Sequence, residues 1–237
     1  MSTHHKVITF TDSDALSHEA ARTFVRLAAQ AQQEHGRFRV ALSGGSAPRG
    51  MYTLLADTYR AQVDWEKVHL FFVDERCVPP DDSQSNYGMI HDLMLRHVPI
   101  PAHQVYRMRG EIVPQQAGEE YHTLLETHFG GAPLFDALFL GMGDDGHTAS
   151  LFPDTAALSV TDKWATSNFV PKLNSWRITL TYDAINRARA LFVLVSEPPK
   201  APMVDAITAP NAATPYPIQG IEPRNGEPLT WWLERAP

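Results

Sequence analysis

The chain has 237 residues, 43% of them hydrophobic and 20% charged, a composition typical of a globular protein with a sizeable core. Its net charge of −7 argues against a nucleic-acid or membrane-surface role, because both normally need a basic face, whereas a small anionic ligand needs only a few local cations. Because Cys77 is the single cysteine, no stretch reaches about 18 consecutive apolar residues and the N-terminus lacks a signal-peptide core, we expect a cytoplasmic protein without a membrane span.

In chain order, the apolar pattern predicts a strand at residues 7–10, a helix from the capping cluster 11–13 to about residue 34, and a strand at 38–42. That strand leads into Ser43, Gly44, Gly45 and Ser46, and Pro48 fits the first turn of the following helix. A strand–loop–helix junction offers free backbone N–H groups and a helix dipole to an anion. We therefore favour a phosphate or sugar cradle over a plain turn here, although no Gly-Lys-Ser/Thr follows to make it a Walker loop.

The next predicted strand, at residues 68–73, ends directly in Asp74, Glu75 and Arg76. Three consecutive charges after an apolar run indicate more than a solvated face. Arg76 can bind a phosphate through its fork-shaped guanidinium or pair with its acidic neighbours, and the local sequence leaves both readings open. A helix at 85–95, a linker at 99–103 and a helix at 114–128 follow.

The stretch 134–153 is where we expect the chemistry. An apolar run at 134–140 predicts a buried strand, and it ends in a glycine-rich segment that contains Asp145 and His147. Ligands of open α/β sheets lie outside the carboxyl ends of the strands. An acid and a histidine two residues apart at such an end predict an acid–base pair.

The same segment, residues 141–146, matches the dinucleotide fingerprint GxGxxG. A true fingerprint opens a long helix near the first strand of a βαβ unit. Here Pro153 follows within seven residues of Gly146 and the motif lies past the middle of the chain, so nicotinamide or flavin binding is disfavoured.

The last third of the chain predicts strands at 164–170, 176–182 and 191–195, a short helix at 183–187 and a helix at 202–208. Residues 229–233, with Trp231 and Trp232, are expected to pack as an edge element. Because strands and helices alternate throughout, we predict a single Rossmann-like α/β domain over 1–237, with a mostly parallel sheet flanked by helices.

Three blocks of sequence, in this order and spacing, resemble the 6-phosphogluconolactonase family of the glucosamine/galactosamine-6-phosphate isomerase superfamily. They are residues 42–48, residues 74–76 with 85–87, and residues 141–153, and the resemblance continues through 177–181 and Lys200. The related deaminases tend to carry Asp-Glu-Tyr where this chain has Asp-Glu-Arg at 74–76. They also tend toward Asn-Glu-Pro after the histidine, where this chain has Ser-Leu-Phe-Pro at 150–153.

The resemblance implies hydrolysis of 6-phospho-D-glucono-1,5-lactone to 6-phosphogluconate, in the oxidative pentose phosphate pathway, without a metal or organic cofactor. His147 is then the general base, because an imidazole ordinarily titrates near pH 6.5 and can accept a proton at neutral pH. Asp145 either orients the ring or favours its protonated form. A monomer is expected, with a dimer left open.

The remaining predicted site residues bind the substrate. Backbone N–H groups of Gly44 and Gly45, or the Arg76 side chain, stabilise the oxyanion. Arg177 and Lys200, with Arg76 and the loop from Ser43 to Ser46 as further candidates, hold the phosphate, and the family blocks add Asp74 and Asn86. Ser43 as a covalent nucleophile is disfavoured because the GxSxG elbow is absent.

One departure from the family pattern concerns Lys200. The family often has Thr-Gly-x-x-Lys here, whereas this chain reads Ser-Glu-Pro-Pro-Lys at 196–200. This difference leaves the direction of the Lys200 side chain open. Two alternatives stay open: an amino-sugar-phosphate isomerase/deaminase, and a non-catalytic sugar-phosphate-binding domain. The second normally carries a DNA-binding segment, which this acidic chain has no room for.

Overall fold

The computed structural model describes residues 5–209 and 216–235, and the polar residues 1–4 considered above lie outside that range. The strands are β1 (His5–Phe10), β2 (Phe38–Leu42), β3 (Val68–Phe72), β4 (Asp74–Arg76), β5 (Val105–Tyr106), β6 (Ala137–Gly141), β7 (Ala165–Val170), β8 (Ser175–Leu180), β9 (Leu191–Val195) and β10 (Leu229–Glu234). The helices are α1 (Ser13–His35), α2 (Arg49–Ala56), α3 (Asn86–Leu93), α4 (Pro114–Phe129), α5 (Tyr182–Ile185) and α6 (Ala201–Thr208).

The main sheet has seven strands in the order β1-β10-β9-β6-β2-β3-β5, and every pair in it is parallel. This confirms the predicted α/β fold with a mostly parallel sheet. From β2 the chain proceeds outward to β3 and β5, then returns to the other side of β2 to form β6. The strand order therefore reverses between β2 and β6, and a crevice opens at their carboxyl ends.

The prediction that residues 229–233 form an edge element is wrong. β10 lies between β1 and β9 and is hydrogen-bonded to both. Trp231 and Trp232 are almost fully buried, which requires neighbours on both sides of the strand. The edge position belongs instead to β1, whose side chains are half-buried or exposed, and to the two-residue strand β5, which the sequence did not predict.

A second sheet joins β4, β8 and β7 in antiparallel order. The sequence placed residues 74–76 at the end of the preceding strand, but the backbone changes partners at Val73. Its N–H donates to Leu42 of β2, and its carbonyl accepts from Leu180 of β8. The strand predicted at 176–182 ends at Leu180, because the Thr181 hydroxyl caps α5 by accepting from the Ala184 N–H.

Helices cover both faces of the main sheet through apolar stripes. The longest, α1, is capped at its start by Asp12, whose carboxylate accepts from the Ala15 N–H, and at its end by Gly36, which has a φ of 81°. It buries Leu16, Phe24 and neighbouring alanines in the common core. Across residues 5–209 and 216–235, no helix is both long and apolar enough to cross a bilayer.

Candidate active site

A cleft of about 340 Å³ lies at the carboxyl ends of β2, β6 and β9, beside the antiparallel sheet. Every residue that the sequence predicted for the site lines it: Ser43, Gly44, Gly45, Ser46, Asp74, Arg76, Asn86, Asp145, His147, Arg177 and Lys200. Positions more than 150 residues apart in the chain thus meet at the point where the strand order reverses.

Asp145 and His147 are in direct contact on the turn that follows β6. The Asp145 Oδ1 atom lies 2.5 Å from Nδ1 of His147. Because an ionised carboxylate can only accept, Nδ1 carries the proton, and in the neutral ring Nε2 keeps its lone pair. Within the described residues Nε2 has no hydrogen-bond partner, and His147 lines the cleft. The pair is therefore arranged for Nε2 to accept a proton.

Asp145 also contacts a cation that the sequence did not predict. Its Oδ2 atom accepts from Lys172 Nζ at 3.1 Å, and Lys172 lies on the turn between β7 and β8. Burial would raise the pKa of Asp145, but the hydrogen bonds from His147 and Lys172 outweigh burial and lower that pKa to about 2. Asp145 is consequently ionised at neutral pH.

The His147 ring is held by two close neighbours. Phe152 stacks on it at a centroid distance of 3.8 Å. The ring also lies against Gly143, where an added Cβ would come within 2.0 Å of a ring atom. The Gly143 N–H also donates to the His147 carbonyl. Glycine at position 143 therefore allows the ring to fit closely against the backbone.

The loop after β2 presents unused donors to the cleft. No group in the described part of the chain accepts from the backbone N–H of Gly44 or Gly45, and Gly45 has a φ of 88°, which favours glycine. The buried Ser43 hydroxyl likewise lacks a partner there. Asn86 packs so closely on Gly44 that a Cβ at Gly44 would lie 1.7 Å from its side-chain oxygen. The backbone is thus open to a ligand oxygen from the cleft side.

Two arginines lie side by side on the floor of the cleft. Arg76 of β4 and Arg177 of β8 are direct partners across the antiparallel pair. Arg177 is buried, and burial followed by the Arg76 charge lowers its pKa. Within residues 5–209 and 216–235, neither guanidinium has a carboxylate within 4.0 Å. Adjacent cations without an acidic partner indicate a binding position for an anionic group.

Asp74 and Glu75, the neighbours of Arg76 in β4, bind other parts of the protein around the cleft. Asp74 accepts from Ser150 Oγ at 2.6 Å and from the Asn86 side chain at 3.2 Å. The buried Glu75 carboxylate accepts from the backbone N–H groups of Asn86 and Tyr87 at the start of α3. Burial raises the pKa of Glu75, while these hydrogen bonds oppose that change. Both acids are engaged with the protein, so neither is free to pair with the arginines.

Lys200 reaches the cleft, but its three donor hydrogens already have acceptors. Its Nζ atom lies 3.0 Å from the Met142 carbonyl, 3.1 Å from Asp144 and 2.9 Å from Glu197. Burial would lower the Lys200 pKa, but the hydrogen bonds to Glu197 and Asp144 outweigh it and raise that pKa. Glu197, noted above as a departure from the expected pattern, is thus one of the partners of Lys200.

The predicted site residues do not include Phe152, Lys172 or Glu197, which also line the cleft. Phe152 lies inside the block 141–153 and Glu197 inside the departure at 196–200, whereas no local pattern marks Lys172, which lies on the β7–β8 turn 27 residues after Asp145. Among the described residues, no group of three or more His, Cys, Asp or Glu side chains could hold a metal ion.

The fold and the cleft together define an α/β protein with an acid–histidine pair and an anion-binding floor at the strand ends. The profile of the glucosamine-6-phosphate isomerases/6-phosphogluconolactonase family matches residues 11–231. The chain belongs to this family.

Individual relatives agree with this assignment. A 6-phosphogluconolactonase of Synechocystis is 40% identical over 208 residues, covering 85% of this chain and 84% of that protein. The solved structure of 6-phosphogluconolactonase from Trypanosoma cruzi superposes with a TM-score of 0.86 at 26% identity, covering 99% of this chain and 96% of that one. A monomeric glucosamine-6-phosphate deaminase, at 18% identity, shares the fold alone, with a TM-score of 0.81 over 97% of each chain.

Proposed function

We propose that this protein hydrolyses 6-phospho-D-glucono-1,5-lactone to 6-phosphogluconate, the reaction of the oxidative pentose phosphate pathway, with His147 as the general base. The observation that carries the proposal is the contact between Asp145 and His147 at the rim of a cleft floored by Arg76 and Arg177. An acid–histidine pair supplies the base that ester hydrolysis needs. Paired arginines supply the charge that a phosphorylated substrate needs.

The proposed reaction begins with a water molecule between Nε2 of His147 and the lactone carbonyl carbon. Nε2 takes one proton as the water oxygen bonds to carbon, and the carbonyl oxygen becomes an oxyanion. The free N–H groups of Gly44 and Gly45 stabilise it. Collapse then breaks the ring C–O bond, and His147 returns the proton to the departing ring oxygen. The product is an open-chain acid, which ionises in solution, and the enzyme regains its starting state.

In this arrangement Asp145 holds the ring with Nδ1–H toward itself and stabilises the imidazolium that forms during the reaction. The phosphate lies toward the cations of the cleft. Arg76 and Arg177 donate to oxygens of Gln84, Ser175 and Trp176 but have no carboxylate partner among the described residues, whereas Lys200 must first exchange one of its carboxylate partners. We further propose a monomeric, cytoplasmic enzyme: the residues of a single chain suffice to line the cleft, and the single cysteine suits a reducing compartment.

The test is hydrolysis of freshly generated 6-phosphogluconolactone, with spontaneous ring opening subtracted, by the wild type and by His147→Asn. We expect kcat to fall about 10²–10⁴-fold in the variant, the usual contribution of a positioned base. His91→Asn, at a partly exposed histidine outside the cleft, is the matched control and should keep full activity.

Three outcomes contradict parts of the proposal. Equal turnover by the wild type and His147→Asn removes His147 as the base. Ammonia release from glucosamine 6-phosphate without lactone hydrolysis makes the protein a deaminase. Stabilisation by phosphosugars without turnover of either substrate makes it a sugar-phosphate-binding domain.

A further inference from the structure

The Glu197 side chain bridges two loops across the cleft. One carboxylate oxygen accepts from Ser46 Oγ at 2.8 Å, in the loop after β2. The other lies 2.9 Å from Lys200 Nζ, at the start of α6. Hydroxyl and ammonium donors on opposite loops are groups that would otherwise bind an anionic ligand. A carboxylate of the protein itself thus occupies their common acceptor position.

The charge around Lys200 has the wrong sign for binding a phosphate. Glu197 and Asp144 each carry a negative charge, and Lys200 carries the one positive charge in contact with both. Hydrogen bonds from Lys200 and Ser46 lower the pKa of Glu197, so its carboxylate stays ionised. A phosphate approaching this group of net charge −1 is repelled until at least one carboxylate moves away.

Glu197 is able to leave without disturbing the fold. Its side chain is 43% exposed, so water can solvate the released carboxylate, whereas the Lys200 side chain is only 14% exposed and stays in place. Its backbone carbonyl accepts from the Lys200 N–H, and Pro198 and Pro199 fix the intervening turn. Release therefore needs only side-chain rotation, and an incoming phosphate oxygen gives Ser46 and Lys200 a new acceptor.

We propose that Glu197 is an internal anion that closes the Ser46–Lys200 position in the free protein and must be displaced by the substrate phosphate. The proposal rests on the proposed function, since it takes the phosphate of a sugar ligand as the displacing group. Glu197 then sets the apparent affinity for phosphorylated ligands, because only the fraction of molecules with the position open can bind. Ligands without a phosphate gain nothing from this position.

The test uses inorganic phosphate as the probe, measured by titration calorimetry, together with KM for the phosphorylated lactone. Glu197→Gln keeps the shape of the side chain and removes its charge. We expect it to bind phosphate about fivefold more tightly than the wild type, the scale of one partly exposed ion pair. KM should fall by a similar factor while kcat stays within about twofold. Glu197→Gly, which removes the side chain, should behave in the same way.

The matched control is Glu119→Gln, at an exposed glutamate that pairs with Lys163 away from the cleft. It should leave phosphate binding and KM unchanged. Unchanged or weaker phosphate affinity in both Glu197 variants overturns the proposal and makes the carboxylate a group that aims Lys200. Lactone hydrolysis by the wild type tests the proposed function separately. If the Glu197 variants bind phosphate more tightly but the wild type does not hydrolyse the lactone, the displacement of Glu197 is supported and the proposed reaction is wrong.

Discussion

Asp145 divides its two carboxylate oxygens between two cations or potential cations, His147 and Lys172. The contact with His147 fixes which ring nitrogen carries a proton. The contact with Lys172 partly neutralises the carboxylate, and so limits how strongly Asp145 can favour the imidazolium form. Lys172 therefore acts on the base through Asp145, although its own side chain is 67% exposed.

We predict that Lys172→Met raises the apparent pKa on the acidic side of the kcat/KM profile. With the cation removed, the Asp145 charge is less neutralised and holds a proton on His147 more strongly. The base therefore becomes active only at higher pH. The expected displacement is about half a pH unit, the scale of one charge acting across several ångströms in a solvated site. The measurement is lactonase activity between pH 5 and 8.

Lys172→Arg keeps the charge and should keep the wild-type profile. A raised KM in Lys172→Met with an unshifted profile would instead make Lys172 a ligand of the substrate, and the positioning role would be wrong.

The acid–histidine pair could be predicted because it is local. Asp145 and His147 are two residues apart at a strand end, and strand ends are where α/β proteins bind ligands. The contacts Asp145–Lys172 and Ser46–Glu197 could not be predicted. Each joins residues from separate loops, which are 27 and 151 positions apart in the chain. Nothing in a single sequence encodes such side-chain pairs directly.

At the scale of elements, Glu75 attaches strand β4 to helix α3. Its carboxylate accepts from the Asn86 and Tyr87 N–H groups, from Ser85 Oγ and from the Arg76 N–H, at 2.7–3.0 Å. The first N–H groups of a helix have no partner within the helix and carry partial positive charge. A buried carboxylate satisfies them, and in doing so it fixes Asn86 against the glycine loop.

We predict that Glu75→Gln lowers the free energy of unfolding by about 2 kcal/mol, because the amide group places a donor against backbone donors and leaves them buried without an acceptor. Urea denaturation followed by circular dichroism measures this loss. Glu19→Gln, at the partly exposed acid of a surface ion pair with Arg22, is the control and should change stability by less than about 0.5 kcal/mol. A Glu75→Gln protein as stable as that control would contradict the anchoring role.

The elements themselves were predicted more accurately than their pairing. The bounds of β2 and β9 agree with the predicted 38–42 and 191–195, because both are compact apolar runs. The position of β10 inside the sheet and the antiparallel pairing of β4 with β8 were not predicted. Strand periodicity indicates which residues face a core, but it does not say which strand lies alongside.

At the scale of the whole molecule, a cluster of rings lies outside the cleft, along β3 and the edge strand β5. His69, Phe71 and Tyr106 of these strands contact His128, which also contacts Phe129. Burial, followed by the charges of His69, Arg39 and Arg37, lowers the pKa of His128 to about 4.

This lowered pKa makes the stability of the fold depend on pH. In the unfolded chain His128 titrates near pH 6.5, so between about pH 6.5 and 4 the unfolded state binds a proton that the folded state does not. Stability must therefore fall as the pH is lowered through that window. His128 Nε2 is buried with no partner in the described residues, so a phenyl ring can replace the imidazole without breaking a hydrogen bond at that atom.

We predict that His128→Phe has about the wild-type free energy of unfolding at pH 7.5 and exceeds the wild type by about 2 kcal/mol near pH 4.5, after allowance for solvent screening of the charges. Urea titrations at pH 7.5, 6 and 4.5 measure the free energy of unfolding of both proteins. Subtracting the wild-type value from that of the variant at each pH cancels the contributions of groups that titrate alike in both. His91→Phe makes the same substitution at a partly exposed ring and should follow the wild type at each pH. Parallel pH curves for His128→Phe and the wild type would mean that His128 takes up its proton in the folded state as readily as in the unfolded chain.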